Sequence, residues 1–197
     1  PRELLDQCDI LFLAGALIMR GFDSGAAGNL LRSAQAAGKL TAMDTCWDSE
    51  GTWMPKVESA LPYLDVFMPS VEEAQMLAAT SDVDAICDEF LRRGVKNVVI
   101  KLGSRGAYVC EASGARYLSP AFRRESIVDT NGAGDSFCAG FLCGLSRGMT
   151  LSQCVQYANA VGSFCVLGAG PCSAIPDMGT VDRFLEAQTD NGENKHQ

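Results

Sequence analysis

The chain has 197 residues, 47% hydrophobic and 20% charged, enough to bury a substantial core and suited in length to one domain rather than two. Twenty-four acidic against sixteen basic residues leave a net charge of -8, and no Lys/Arg cluster tracks a phosphate backbone, which weighs against nucleic acid as a partner. No stretch approaches the roughly eighteen apolar residues of a membrane span, and the only histidine, His196, lies in a polar tail, which argues against Ser-His-Asp chemistry.

Pro1-Arg2-Glu3 shows no signal-peptide pattern and no initiator Met, and leads almost at once into a strand, a start expected of a chain that begins inside a larger fold. Residues 8–14 (CDILFLA) read as a buried strand. A helix over 24–37 follows, with Ser24 at its N-cap and Gly38 just past its end. The next strand is 39–44; after a loop around Trp47 to Trp53 come a short helix over 55–61 and a strand over 64–68. Ser70 then opens a helix with Glu73 three residues on, the spacing of a capping box. Residues 84–93 form another helix ending at Gly94, and 97–102 (NVVIKL) another buried strand. Two alternating runs, 107–111 and 116–118, flank Ser113-Gly114 as an antiparallel hairpin. Helices over 133–147 and 151–167, rich in small residues, are followed by the stop Gly168-Ala169-Gly170-Pro171 and a last helix over 181–187.

Strands alternating with helix-length amphipathic segments specify an α/β class with a mostly parallel sheet covered by crossover helices. There is no internal repeat and no dividing linker, so one domain is expected over 1–188, with a disordered tail over 189–197. The nine cysteines (Cys8, Cys46, Cys87, Cys110, Cys138, Cys143, Cys154, Cys165 and Cys172) are scattered singly, without a CxxC pair. They read as reduced core residues of a cytoplasmic protein, because the spacing of a zinc site is missing.

Chemistry concentrates in residues 129–137, DTNGAGDSF, between a strand and a helix of small residues. Gly132, Ala133 and Gly134 carry little or no side chain, so their amides can converge at a helix N-terminus, where the dipole favours an anion. Asp135, in the first turn of that helix, is held as a carboxylate by the same field and suits proton abstraction from an attacking hydroxyl. Glycine turns before helices and first-turn aspartates are also common as plain structure.

The fuller string DTNGAGDSFCAGF (129–141) resembles the C-terminal signature of the ribokinase-like (PfkB) family of carbohydrate kinases, and the order of features along the chain follows that family's C-terminal part. The resemblance implies a three-layer α/β/α fold with a mostly parallel sheet, lacking the family's N-terminal part and its lid. It also implies that Asp135 is the catalytic base and that Gly132, Ala133, Gly134 and Asp135 form the anion hole. Lys101, Gly103 and Gly106, in KLGSRGA, resemble the segment that passes the ATP phosphates and ribose; as bare sequence they are a strand and a turn. Asp44-Thr45-Cys46-Trp47-Asp48 occupies the place of a D-x-N-x-R strand end, where Asp44 either faces metal and phosphate or caps its loop.

Met68-Pro69-Ser70-Val71-Glu72-Glu73-Ala74 looks like the family's P-N-x-x-E-A element, which organises magnesium largely through water; Ser70 replaces the Asn, so the metal role falls on Glu73. The capping-box and metal readings of Glu73 can both hold. Asn159 and Gly170 match where the family packs adenine, the alternative for Asn159 being a hydrogen bond inside a helix interface. Asp129 lies where many members hold a monovalent cation, potassium for instance, beside the anion hole, although the loop through Gly170 and Ser173 departs from the R-x-G-A pattern.

These residues imply transfer of the γ-phosphate of ATP, with Mg2+, to a hydroxyl of a sugar or nucleoside, the DTCWDSEGTW segment (44–53) favouring a sugar. A homodimer is the family's usual assembly, formed through the lid this chain lacks. A truncated or degenerate domain that binds nucleotide without catalysis is the alternative. A dinucleotide-binding Rossmann domain fits less well, because the glycine run comes late and lacks G-x-G-x-x-G with an acidic residue about twenty positions on.

Overall fold

A computed structural model describes residues 2–193. Over the span expected to form one domain, contacts divide the chain into two compact units. One takes in residues up to 102 together with 108–118, and the other 103–107 and everything from 119 onward.

The first unit opens on a short helix, α1 (Arg2–Leu5), and then alternates strand and helix: β1 (Ile10–Ala16), α2 (Ala26–Ala36), β2 (Leu40–Thr45), α3 (Met54–Val57), β3 (Val66–Phe67), α4 (Val71–Ala78), α5 (Val83–Arg92) and β4 (Asn97–Lys101). β1 to β4 pair in chain order and parallel, and β5 (Ala107–Glu111) and β6 (Arg116–Ser119) complete a six-stranded sheet in the order β1-β2-β3-β4-β5-β6. Apolar side chains with no polar face, among them Leu31, Leu61, Phe67, Ile86, Phe90, Val98 and Ile100, make one continuous core, each worth about 1.5–3 kcal/mol of burial for its larger members. Phe67 on β3 meets Phe90 on α5 edge to face at 4.9 Å, the geometry that ring quadrupoles favour.

Several boundaries differ from expectation for tertiary reasons. α2 begins at Ala26 with Gly25 as N-cap and no side-chain cap; Ser24 sits instead at φ 72, its amide drawn to Lys56 O at 2.7 Å. The helix expected over 55–61 is only Met54–Val57, and a 3-10 turn, Leu61–Tyr63, follows. Asp82 caps α5 by accepting from the amides of Asp84 and Ala85.

The second unit is helical. α6 (Ala133–Ser146) and α7 (Leu151–Cys165) pack closely because glycines line the contact: a Cβ on Gly140 would meet Val161 at 2.9 Å, and one on Gly144 would meet Cys154 at 3.0 Å. Thr150 and Gln153 close a capping box at the start of α7. α8 (Met178–Glu193) packs Val181, Phe184 and Leu185 against Tyr157 and Val161. It is longer than expected at both ends and takes in positions 189–193 of the expected tail, since no proline or alternative cap interrupts its ladder; positions 194–197 lie outside the described residues. Arg124 lies between the rings of Phe164 (4.2 Å) and Phe184 (4.4 Å), where burial pulls its pKa down. None of the nine cysteines is in a disulfide, and among the described residues no helix is long and apolar enough to cross a membrane.

Candidate active site

In the first unit the polar residues gather at the carboxyl ends of β2, β3 and β4, the edge of a parallel sheet where ligands are received. Lys101, closing β4, donates to both carboxylate oxygens of Asp44 on β2, each at 2.7 Å, with side chains 12% and 6% exposed. Asp44 Oδ1 also accepts from the Thr45 amide at 2.8 Å. Thr45 Oγ1 in turn donates to Glu73 Oε2 at 2.8 Å, and that same oxygen accepts the Ser70 amide at 3.0 Å. Ser70 Oγ completes the capping box by accepting from the Glu73 amide at 3.3 Å. Both hydrogen bonds to the Glu73 carboxylate, from Thr45 and from the Ser70 amide, thus go to Oε2.

The loop after β2 is fixed by Asp48, which is buried and accepts from the Trp53 amide (2.6 Å), the Glu50 amide (3.0 Å) and Lys56 Nζ (2.6 Å). Burial pushes this carboxyl up, but Lys56 and the amides of Trp53, Glu50 and Thr52 outweigh it and hold the pKa at about 2. Exposed Trp47 stands edge-on to buried Trp53 at 4.8 Å.

In the second unit, Gly103 (φ 59) and Gly106 (φ 97) both need the left-handed region, and a Cβ on Gly106 would lie 2.0 Å from Ser119 O, so only glycine fits there. Asn159 is buried on α7 and its Nδ2 donates to Ser119 O (3.1 Å) and Ser119 Oγ (3.0 Å) within the same unit. Asp129 braces the loop ahead of α6. Its Oδ1 accepts the Asn131 amide and its Oδ2 the Gly170 amide, each at 2.9 Å, and these backbone bonds hold its carboxyl below the usual range.

Gly132 is the N-cap of α6 at φ 77, ψ 0, and offers no side chain to close the first turn. Ala133 N donates to Thr130 O at 3.2 Å, a turn bond that removes it from the expected set of donors. Among the described residues the amides of Gly132, Gly134 and Asp135 have no hydrogen-bond partner, and the carboxylate of Asp135 is exposed beside them. An uncapped helix start with two glycines and a first-turn carboxylate offers both a cradle for an anion and a proton acceptor.

The sequence matches the pfkB family carbohydrate kinases over residues 1–178. The chain belongs to that family. It is 29% identical over 165 residues to the 2-dehydro-3-deoxygluconokinase of Bacillus subtilis (strain 168), covering 81% of this chain and 51% of that protein. It is 35% identical over 159 residues to the fructoselysine 6-kinase of Escherichia coli (strain K12), covering 79% and 56%. Among solved structures it resembles Arabidopsis thaliana ribokinase complexed with ribose and ATP, with a TM-score of 0.79, 25% identity and coverage of 93% of this chain and 57% of that one. The fold is thus the ribokinase-like three-layer α/β/α arrangement, and the chain spans about half the length of the curated relatives it matches.

Against that family, the expected site residues divide by unit. Lys101 and Glu73 lie together with Asp44 and Thr45 at the strand ends, in a cluster whose groups bond to one another. Gly132, Gly134, Asp135, Asp129 and Gly170 come together around the start of α6, whereas Asn159 bonds to Ser119. No three His, Cys, Asp or Glu side chains among the described residues form a group able to hold a metal, so Glu73 and Asp129 are single carboxylates. Sequence reasoning missed the Asp44–Lys101 pair and the Asp48–Lys56 brace. Asp48 and Lys56 stand eight positions apart across a loop, a spacing that carries no local signal for the second.

Proposed function

We propose that this chain is the ATP-handling part of a kinase that moves the γ-phosphate of ATP to a hydroxyl group of a sugar or sugar-like acceptor. The observation that carries the reading is the open start of α6, with the Gly132, Gly134 and Asp135 amides unpaired and the Asp135 carboxylate next to them. Asp135 takes the proton of the acceptor hydroxyl. The freed oxygen attacks the γ-phosphorus, the bond from that phosphorus to the bridging oxygen breaks, and ADP leaves. Negative charge spread over the equatorial oxygens is met by the amides, which are already aimed and cost no reorganisation.

Magnesium, when bound with ATP, supplies charge neutralisation at the phosphates. Glu73 would serve it from an outer position: Oε2 is tied to Thr45 and Ser70, and the remaining carboxylate oxygen would accept from a water held by the ion. Lys101, Gly103 and Gly106 line the nucleotide, Asn159 and Gly170 flank adenine, and a potassium ion beside Asp129 is tested by the dependence of turnover on that ion. The named substrates of the relatives, a deoxygluconate and a fructose-amino acid conjugate, together with the ribose of the Arabidopsis complex, favour a carbohydrate acceptor.

The test is ATP consumption with magnesium over a panel of sugars and nucleosides, run on this chain and on a form extended toward the N-terminus to the length of its relatives. Turnover in the extended form is expected. Silence from both forms with ATP still bound would replace this reading with a non-catalytic nucleotide-binding domain.

A further inference from the structure

Cys165 closes α7 and is completely buried. A buried free cysteine ordinarily behaves as a small apolar side chain. This one does more, because its Sγ lies 3.5 Å from Asn131 O and 3.3 Å from Pro171 O, within hydrogen-bonding range of sulfur for carbonyls on two different loops.

The consequence for the neighbouring amide follows from peptide geometry. In a trans peptide the C=O and N–H point in opposite directions, and there is no cis bond among the described residues. Drawing Asn131 O inward onto the thiol therefore turns the Gly132 N–H outward, to the open start of α6. Gly132 itself sits at φ 77, where glycine has little preference of its own, so this peptide needs an outside fastening to keep one orientation. The return loop gives that fastening its anchor: a Cβ on Gly132 would lie 2.5 Å from Pro171 O, and the Gly170 amide is held by Asp129.

We infer that Cys165 is a positioning residue that, from beneath the loop, aims the Gly132 amide at the transferred phosphate. The inference rests on the phosphotransfer reading above. It assigns the thiol no contact with substrate.

Three variants of the full chain and of its extended form test it: Cys165→Ala, Cys165→Val and Cys165→Ser. The amide meets charge that develops in the transition state, so Ala and Val are expected to lower kcat about tenfold to a hundredfold, with the KM for ATP changing by less than about threefold. Serine keeps a donor and is expected to recover most of the loss. Valine fills the space that alanine empties, so a folding defect confined to alanine leaves the comparison of valine with serine intact. In glycine-15N-labelled protein, the Gly132 amide resonance is expected to move on adding ATP in the wild type and in Cys165→Ser, and to lose that response in Cys165→Val. An unchanged kcat in Val, or a Gly132 response to ATP that survives in Val, would overturn the role of Cys165. Absence of turnover in the wild type would overturn the phosphotransfer reading instead, while the amide response still decides whether Cys165 aims Gly132.

Discussion

The start of α4 and the start of α6 are both first turns with an acidic residue in them, yet they handle their polar groups in opposite ways. At α4, Ser70 and Glu73 cap each other, Thr45 is bound to Glu73, and nearby Asp44 is paired with Lys101, so each of these groups has a protein partner. At α6 the N-cap is a glycine with no side-chain bond, and the amides that follow are open among the described residues. An open terminus is not sufficient by itself, since α2 also starts on an uncapped glycine, Gly25, but has no acidic residue in its first turn. The contrast implies that substitutions in the first region act mainly on stability and those at the start of α6 mainly on turnover.

The largest expected effect tests the closed region. Lys101→Met leaves the Asp44 carboxylate buried without its cation, a loss of about 3–5 kcal/mol readable in denaturant unfolding. Full stability in that variant would break the contrast, because the Asp44–Lys101 pair would then add nothing to what holds this region together. Next comes Gly132→Ala at the open region. The left-handed φ costs a residue with a Cβ about 1–2 kcal/mol, and the new methyl collides with Pro171, so turnover is expected to fall about a hundredfold through a displaced amide.

Acid sharpens the comparison further, because the loop after β2 and the loop before α6 each have a carboxylate held below its usual range, Asp48 at about 2 and Asp129 in the same direction. A depressed folded pKa gives stability that is fully present above the unfolded value of about 4 and is lost as pH falls through the folded value. Melting temperature should therefore drop more steeply between about pH 4 and pH 2 in the wild type than in Asp48→Asn or Asp129→Asn, and equal slopes would remove both carboxylates from the account. The smallest effect belongs to the caps. Ser70→Ala and Thr150→Ala should each cost about 1 kcal/mol, with Thr150→Ala leaving turnover unchanged.

What the sequence revealed follows from the range of the forces involved. The Ser70–Glu73 box and the glycine turn into α6 are local, set by residues within four positions of each other, and both are readable from the string alone. Ser24 was misplaced as a cap because a contact to Lys56, far along the chain, holds it in the left-handed region. Asp44 and Lys101 stand 57 positions apart and meet only because β2 and β4 flank β3 in one parallel sheet, a register that no local pattern encodes. Cys165 looked like core because it is core; that two carbonyls converge on its sulfur depends on how the loops before α6 and after α7 fold back. The withdrawal of the Ala133 amide into a turn onto Thr130 is likewise a matter of backbone geometry that a string of small residues leaves open.

The central claim, that Asp135 accepts the proton of the attacking hydroxyl, is tested most directly by Asp135→Asn in the extended form, with turnover and ATP affinity measured on the same preparation. The account expects turnover to fall by about two to four orders of magnitude while ATP affinity stays within a few-fold of wild type. Turnover close to wild type in that variant would contradict it.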